Sequence, residues 1–283
     1  MIGVIDVGGG LRGIYGAGVF DRCLDDEVYF DCCIGVSAGS ANTASFLAGQ
    51  KGRNYLFYHD YAFRKEYMSF YSLIKTGSYI GLDYVYGTLT NTGGENPINY
   101  ENIKKYGGIY NVVSTDAETA EPVYFTKDDL SLDNYRIFNA SSCIPIVCKP
   151  VEINGRKYYD GGVADPVPID RAFSLGCDKI VLVLTRPIDE KKQQGADSKA
   201  AAVLKHRNPP VAEKLRARAE KYNTAVERAK ELQKEGKCLI IAPDDCCGIT
   251  TLSKNKDSLE RLYKKGYNDG KIIKEFIKAV PHN

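Results

Sequence analysis

The 283-residue sequence has only three histidines and lacks several features that would indicate other classes of protein. It has no run of about 18 apolar residues, which excludes a predicted membrane-spanning helix. Its start has neither the basic region nor the apolar core of a signal peptide. A formal net charge of +2 gives no reason to expect a nucleic-acid partner. Cysteine and histidine spacings typical of zinc sites are absent as well, so no metal ligands are predicted.

The rest of the composition is that of an ordinary globular protein, with 43% hydrophobic and 26% charged residues. Nine cysteines are present, an odd number, and two pairs are adjacent: Cys32 with Cys33, and Cys246 with Cys247. This pattern favours reduced thiols over a disulfide framework, and therefore a cytoplasmic location. The length fits one large domain or two small ones.

The most informative motif is Gly-Val-Ser-Ala-Gly at residues 35–39, between a strand predicted for residues 29–36 and a helix-compatible segment. This is the pattern of a nucleophile elbow, with Ser37 exposed at a sharp turn. Gly35 and Gly39 avoid side chains that would clash across the turn, and the helix N-terminus favours developing negative charge. The same residues also fit a plain strand-to-helix turn without a catalytic role.

A glycine-rich loop follows the first predicted strand, which covers residues 1–7. Residues 8–13 read Gly-Gly-Gly-Leu-Arg-Gly and match the Gly-x-Gly-x-x-Gly pattern of dinucleotide-binding turns. That interpretation expects an acidic residue at the end of the second strand, where this chain has Ser37. The alternative is an oxyanion loop whose backbone N–H groups point at a small negative oxygen. Arg12 would then position the loop or a phosphate headgroup.

A nucleophilic serine needs a base, and the histidines are poorly placed to serve. His59 lies in an aromatic segment, His206 in a charged one and His282 near the C-terminus. A carboxylate remains as the base. Asp160 begins an Asp-Gly-Gly turn directly after a hairpin predicted for residues 151–159, although such a turn alone usually has no catalytic role.

Together, the glycine loop, the serine elbow and the Asp-Gly-Gly turn closely resemble the patatin-like phospholipase family, over residues 1–185. The resemblance implies a Ser37–Asp160 dyad that uses no histidine, cofactor or metal: Asp160 takes the proton from Ser37, which attacks a lipid ester. Because a carboxylate is a weak base for a hydroxyl, either partial burial raises the pKa of Asp160 or the carboxylate acts as a base only in the transition state. The resemblance assigns the oxyanion hole to Gly8, Gly9, Gly10 and Arg12. The motif glycines are Gly13, Gly35, Gly39, Gly161 and Gly162.

The succession of strands and helices predicts an α/β fold. We expect a three-layer α/β/α sandwich with a mostly parallel central sheet, patatin-like and related to the α/β-hydrolases. Residues 53–106 are dense in tyrosine and phenylalanine and are predicted to form a helical insertion over the carboxyl edge of the sheet. This insertion either surrounds the substrate or serves only as packing.

The C-terminal part is predicted to contain a polar loop at 186–200, a helix at 210–235, a strand at 237–242 and a final helix at 259–280. A buried strand so late in the chain favours one domain over residues 1–283. That domain has a catalytic core up to about residue 185 and an extension from about residue 200, which resembles one found in bacterial patatin-like proteins.

The predicted function is that of a lipid acyl hydrolase acting on carboxylic esters. Two alternatives stay open: a nucleotide-binding Rossmann-type protein, and a catalytically inactive relative that only binds lipid. A lipid or ester substrate implies peripheral contact with a membrane, to which the aromatic residues of 53–86 are suited. The sequence leaves the oligomeric state open.

Overall fold

The structure is a computed structural model that describes residues 1–278. Within this range, eight strands form one sheet. They are β1 (Ile2–Asp6), β2 (Cys32–Val36), β3 (Ile109–Asp116), β4 (Pro122–Thr126), β5 (Val151–Ile153), β6 (Arg156–Asp160), β7 (Lys179–Val183) and β8 (Cys238–Ile241). The helices of the described range are α1 (Ile14–Asp25), α2 (Ala38–Leu47), α3 (Arg53–His59), α4 (Phe70–Thr76), α5 (Tyr100–Lys105), α6 (Arg136–Ser141), α7 (Ile169–Ser174), α8 (Gly195–Leu204), α9 (Pro209–Lys234), α10 (Lys256–Asp269) and α11 (Ile273–Lys278).

The strand order is β5-β6-β3-β2-β1-β7-β8, and β4 pairs with the other edge of β3. Strands β3, β2, β1, β7 and β8 run parallel, whereas β4, β5 and β6 form the antiparallel part of the sheet. The predicted α/β fold with a mostly parallel sheet is confirmed. The predicted hairpin is β5 with β6, and its turn residues Asn154 and Gly155 both have positive φ, as a tight hairpin turn requires.

Strands β2 and β6 meet end to end along one edge of β3. The last residue of β2, Val36, pairs with Val113, and the next residue of β3, Ser114, pairs with Asp160 at the end of β6. Strand β4 occupies the opposite edge of β3 at the same level, so β6 continues on the edge that β2 leaves. This arrangement brings Asp160 next to Ser37, the residue that follows β2.

Alternate residues of the parallel strands supply two separate hydrophobic cores, one on each face of the sheet. Val4 and Val181 belong to the core that α1, α2 and α10 cover, whereas Ile5 and Leu182 belong to the core under α7 and the middle of α9. Such alternation follows from the two-residue period of a strand that is buried on both faces. The three-layer architecture is therefore confirmed.

The prediction of a loop over residues 186–200 was wrong in its second half, because α8 begins at Gly195. Its alanine-rich sequence favours a helix, and Ala201 and Leu204 are buried. The predicted strand at 29–36 was too long at its start. Strand β2 begins at Cys32 rather than at residue 29, where Tyr29 is 80% exposed.

The single final helix predicted for 259–280 was also wrong. The structure has two helices, α10 and α11, with a 3-10 turn from Gly270 to Ile272 between them. A Cβ at Gly270 would lie 3.2 Å from the Cβ of Arg22, so this glycine permits close packing on α1. After the turn, Ile273 is fully buried. The last part of the predicted helix, residues 279–280, lies outside the described residues.

Candidate active site

Ser37 lies at a strained turn between β2 and α2. Its φ of 56° and ψ of −128° are unusual for a residue with a side chain. A Cβ at Gly35 would stand 2.4 Å from the Cα of Ser40, and one at Gly39 would stand 2.2 Å from the carbonyl oxygen of Asp6. Gly35 and Gly39 are therefore both required, because nearby backbone atoms leave no room for a side chain at either position. This geometry is that of a nucleophile elbow.

Neighbouring hydroxyl groups hold both peptide groups of Ser37 in place. The Ser37 N–H donates to Oγ of Ser141 at 2.9 Å, and the Ser141 hydroxyl donates to the carbonyl oxygen of Val113 at 2.6 Å. On the other side, Oγ of Ser40 donates to the Ser37 carbonyl at 2.7 Å. Sequence reasoning missed Ser141, because nothing in the pattern of α6 distinguishes this serine from a helix-end residue.

Asp160 is buried at the end of β6, and its backbone is fixed on both sides. Its N–H donates to the carbonyl of Cys143, and its own carbonyl accepts from Oγ1 of Thr115, both at 2.8 Å. Its Oδ1 accepts the N–H of Gly162, also at 2.8 Å. A Cβ at Gly161 would lie 2.1 Å from the Val113 carbonyl oxygen, so the turn after Asp160 has no room for a side chain.

Burial raises the pKa of the Asp160 carboxyl, as a role as base requires. Three groups act in the opposite direction and lower this pKa: the positive charge of Arg218, the nearby Ser37 side chain, and the Gly162 N–H. The negative charge of Asp197 adds to the upward shift. The protonation of Asp160 therefore depends on Arg218 and Asp197, two residues from the C-terminal part of the chain that sequence reasoning did not single out.

The glycine loop lies directly against the elbow, and its φ values exclude ordinary side chains. Gly8, Gly9 and Gly10 have φ of 63°, 132° and 61°. A Cβ at Gly8 would stand 2.3 Å from the Val36 carbonyl oxygen, and one at Gly10 would stand 2.3 Å from the Thr251 carbonyl oxygen. The loop is therefore held between the elbow on one side and the segment before α10 on the other.

The three consecutive glycines of this loop differ in how their N–H groups are hydrogen-bonded. The Gly8 N–H donates to Oδ1 of Asp6 at 2.8 Å, and the Leu11 N–H donates to the Thr251 carbonyl at 3.0 Å. Within residues 1–278, the N–H groups of Gly9 and Gly10 have no protein acceptor. Among the predicted oxyanion residues, these two thus have available donors, whereas the N–H of Gly8 is engaged inside the protein.

Asp6 and Asn42, which sequence reasoning missed, connect the loop to the elbow helix. Oδ2 of the fully buried Asp6 accepts from Nδ2 of Asn42 at 2.8 Å, and the same Nδ2 donates to the Gly13 carbonyl at 2.8 Å. Burial raises the pKa of Asp6 to about 6. The sequence did contain a signal for Asp6, because an aspartate at the end of an otherwise apolar strand indicates a buried carboxylate with a structural or functional role. Gly13 is tightly packed too, since a Cβ there would lie 2.6 Å from Oη of Tyr58.

Ser37 stands on the boundary between two cavities. The first, counted with its open mouth, contains about 630 Å³ and is mainly apolar, lined among others by Leu11, Phe57, Met68 and Leu82. The second, counted with its open mouth, contains about 1360 Å³ and is lined by Asp160, Arg12, Gly162 and the glycine loop. Aromatic residues of the insertion at 53–106 line the apolar cavity, among them Tyr58, Tyr67 and Tyr86. The same three side chains are buried, so they also belong to the hydrophobic packing of the protein.

The histidines of the described chain lie away from this site. His59 stacks on Tyr55 with 4.8 Å between ring centroids, and its Nδ1 is 2.9 Å from Oδ1 of Asp60. His206 is exposed, and neither residue lines a cavity that contains Ser37. His282 lies outside the described residues. Residues 1–278 contain no cluster of three potential metal ligands, nor a helix with the length and apolar character needed to cross a bilayer.

Comparison with known proteins decides the family. A family model described as patatin-like phospholipase matches residues 7–173, more than half of the chain. The chain belongs to the patatin-like phospholipase family. A second model, described as a domain of unknown function (DUF6363), matches residues 208–280. The nucleotide-binding alternative required an acidic residue at the end of β2, where this chain has Ser37. Membership of the patatin-like family also disfavours that alternative.

Two curated relatives are similar over different extents. The uncharacterized protein YjjU of Escherichia coli K12 is 28% identical over 193 residues, which cover 66% of this chain and 52% of YjjU. The lysophospholipase nte1 of Aspergillus terreus is 25% identical over 293 residues, covering 98% of this chain and 18% of nte1. The chain thus spans about half of the first relative and under a fifth of the second. The solved structure of VipD from Legionella pneumophila aligns over 98% of this chain and 66% of VipD, with a TM-score of 0.49 and 14% identity.

Proposed function

We propose that this protein is a lipid acyl hydrolase that cleaves carboxylic esters with a Ser37–Asp160 dyad. The observation that carries the proposal is the end-to-end meeting of β2 and β6, which brings a strained serine next to a buried carboxylate. Family membership supports a lipid substrate, and the nte1 relative is named a lysophospholipase.

The proposed reaction proceeds in two halves. Asp160 accepts the proton of the Ser37 hydroxyl as Oγ attacks the ester carbonyl, and the N–H groups of Gly9 and Gly10 donate to the resulting oxyanion. Collapse of this intermediate expels the alcohol, which takes the proton back from Asp160. Water then gives a proton to Asp160 and attacks the acyl-enzyme, and departure of Ser37 with that proton releases the fatty acid.

The apolar cavity beside Ser37 is the proposed site of the acyl chain. It adjoins the Ser37 side chain, and its lining is mostly apolar, as an acyl chain requires. In this role, the Leu11 and Phe57 side chains contact the chain near the ester, and the aromatic insertion keeps water from it.

Contact with a membrane surface is proposed for helix α4. Phe70 and Ile74 are 73% and 86% exposed, the largest exposures among the apolar side chains of that helix. Lys65 and Lys75 lie on the same surface, each with its Nζ within 6 Å of the Tyr71 ring centroid. Exposed apolar side chains beside lysines suit a surface of anionic lipid. We also propose a cytoplasmic location, because an odd number of cysteines with two adjacent pairs favours reduced thiols.

The proposed domain is the whole chain rather than a core with a separate module. Strand β8 pairs in parallel with β7 in the central sheet, and α9 and α10 pack in the layers on its two faces. An extension that supplies both a strand and covering helices is expected to unfold together with the core.

Labelling with a fluorophosphonate probe, together with hydrolysis of a p-nitrophenyl ester, tests the dyad. We expect wild type to be labelled, Ser37→Ala to lose labelling, and both Ser37→Ala and Asp160→Asn to lose hydrolysis. Matched exposed controls, Ser174→Ala and Asp189→Asn, should behave as wild type. Wild type that folds but is never labelled, with or without lipid vesicles, would favour the inactive relative. Activity that survives in Asp160→Asn and vanishes in His206→Ala would refute the dyad.

A further inference from the structure

A short loop between α6 and β5 lines the candidate active site and has a cysteine at each end. We call residues 143–148, which read Cys-Ile-Pro-Ile-Val-Cys, the cysteine loop. Ile144 lines both cavities that adjoin the serine elbow. The carbonyl of Cys143 accepts the N–H of Asp160 at 2.8 Å. The loop therefore contacts the proposed base through its backbone and the substrate cavities through a side chain.

The two thiols of the cysteine loop lie next to each other. The Cys148 N–H donates to the Ile144 carbonyl at 2.9 Å, so the loop turns back on itself. Sγ of Cys143 donates to the carbonyl of Lys149 at 2.8 Å, which places this sulfur beside the residue that follows Cys148. Each thiol also affects the other: Cys148 raises the pKa of Cys143, whereas Cys143 lowers the pKa of Cys148. Such mutual shifts require a close approach of the two sulfurs.

Cys148 is the member of the pair that a small oxidant can reach. It lines a third cavity, between α4 and β5, which contains about 1150 Å³ counted with its open mouth. Cys143, by contrast, is fully buried. The lowered pKa of Cys148 favours its thiolate, which is the form that attacks an oxidant. The pair thus has one reactive thiol and a second thiol in position to form a disulfide with it.

A bond between the two sulfurs displaces groups on which the active site depends. To form it, Sγ of Cys143 has to leave the Lys149 carbonyl. The loop has little freedom to absorb this change, because Ile146 already has a φ of 73°, a strained conformation for a β-branched residue. The Cys143 carbonyl, which holds the N–H of Asp160, is therefore expected to move.

We propose that the cysteine loop is an oxidation site, at which hydrogen peroxide joins Cys143 and Cys148 in a disulfide that lowers ester hydrolysis. The Cys148 thiolate attacks one peroxide oxygen, the O–O bond breaks, and the departing hydroxide takes up a proton to become water. The Cys143 sulfur then gives up its proton and attacks the resulting sulfenic acid, whose oxygen leaves as a second water. Two thiols thus lose two electrons to one peroxide. Only the effect on hydrolysis rests on the proposed function.

Mass spectrometry of wild type that is treated with hydrogen peroxide and then alkylated tests the bond. The peptide that contains both cysteines should be lighter by two hydrogen atoms and carry no alkyl group, and dithiothreitol should restore alkylation of both. Cys143→Ser and Cys148→Ser should lack the bond, whereas Cys247→Ser, half-buried outside the loop, should retain it. Two alkylated cysteines in the treated wild type would overturn the inference. So would a bond formed instead between Cys32 and Cys177, whose thiols also lie together.

Hydrolysis of a neutral p-nitrophenyl ester tests the effect of the bond. Oxidation should lower kcat/KM of wild type roughly tenfold, because a small displacement of a catalytic group is costly, and dithiothreitol should restore it. Cys143→Ser and Cys148→Ser should each keep their own untreated activity after peroxide. A complete bond with unchanged hydrolysis would refute the effect on the active site. Wild type that forms the bond but is neither active nor labelled at Ser37 would count against the dyad and not against the oxidation site.

Discussion

Arg218 should set the pH at which the proposed base becomes active. Asp160 accepts a proton only when ionised, burial raises its pKa, and the charge of Arg218 lowers it. Replacing Arg218 with glutamine therefore raises the pKa further and moves the acidic limb of the kcat/KM profile to higher pH. An opposite charge beside a carboxylate typically shifts its pKa by about 1–3 units. Arg218 also forms an ion pair with Asp197, which partly neutralises its charge. We therefore expect the pKa of Asp160 to rise by about one unit, so that activity at pH values below the acidic limb falls roughly tenfold.

The opposite substitution supplies a matched control. Asp197 raises the pKa of Asp160, so Asp197→Asn should move the acidic limb to lower pH. The assay is hydrolysis of a neutral p-nitrophenyl ester between pH 4 and 9, with Arg228→Gln as a distant control. At high pH, where Asp160 is ionised in every variant, the rates should converge. If Arg218→Gln lowered kcat/KM equally at every pH without moving the acidic limb, the electrostatic role of Arg218 would be refuted. Arg218 would then support the site only through packing.

Three further predictions concern the support of the site. Ser141→Ala removes the acceptor of the Ser37 N–H, so urea denaturation should show a loss of about 1–3 kcal/mol and ester hydrolysis should fall. Asp6 has a folded pKa of about 6, above its unfolded value of 3.8, so its contribution to stability is complete below pH 4 and lost as the pH rises through 6. The stability of wild type relative to Asp6→Asn should thus decline by about 2 kcal/mol from pH 4 to 7, and a constant difference would contradict the buried charge. The double substitution of Phe70 and Ile74 by serine should weaken sedimentation with anionic vesicles at least tenfold, whereas Val203→Ser, exposed on α8, should not.

Local patterns were sufficient to predict most elements and the motif glycines. The elbow at residues 35–39 and the hairpin before Asp160 are formed by residues that are close together in the chain. Their glycines are predictable because a side chain at these sharp turns would clash with nearby backbone atoms. The fold class followed from the order of strands and helices. The boundaries were less accurate where distant packing is involved, as at Gly270, which lies close to Arg22 and begins the 3-10 turn between α10 and α11.

The supporting residues could not be predicted, because they act across long stretches of chain. Ser141 reaches Ser37 from 104 residues away, and Arg218 comes from α9. Both contacts require the relative position of helices and sheet, which no periodicity encodes. Asp6 is nearer in sequence, yet its hydrogen bond to Asn42 depends on the close approach of α2 to the glycine loop.

The sheet topology gives a physical reason why the proposed dyad needs no histidine between Ser37 and its base. Here β6 runs antiparallel to β3 and ends where β2 ends, so Asp160 lies next to Ser37. A Ser-His-Asp triad places an imidazole between the serine and the acid. The proposed dyad has no imidazole, and it therefore also lacks a group whose pKa is naturally near neutrality. Burial of Asp160, moderated by Arg218, is then the remaining means of bringing the base toward the working pH.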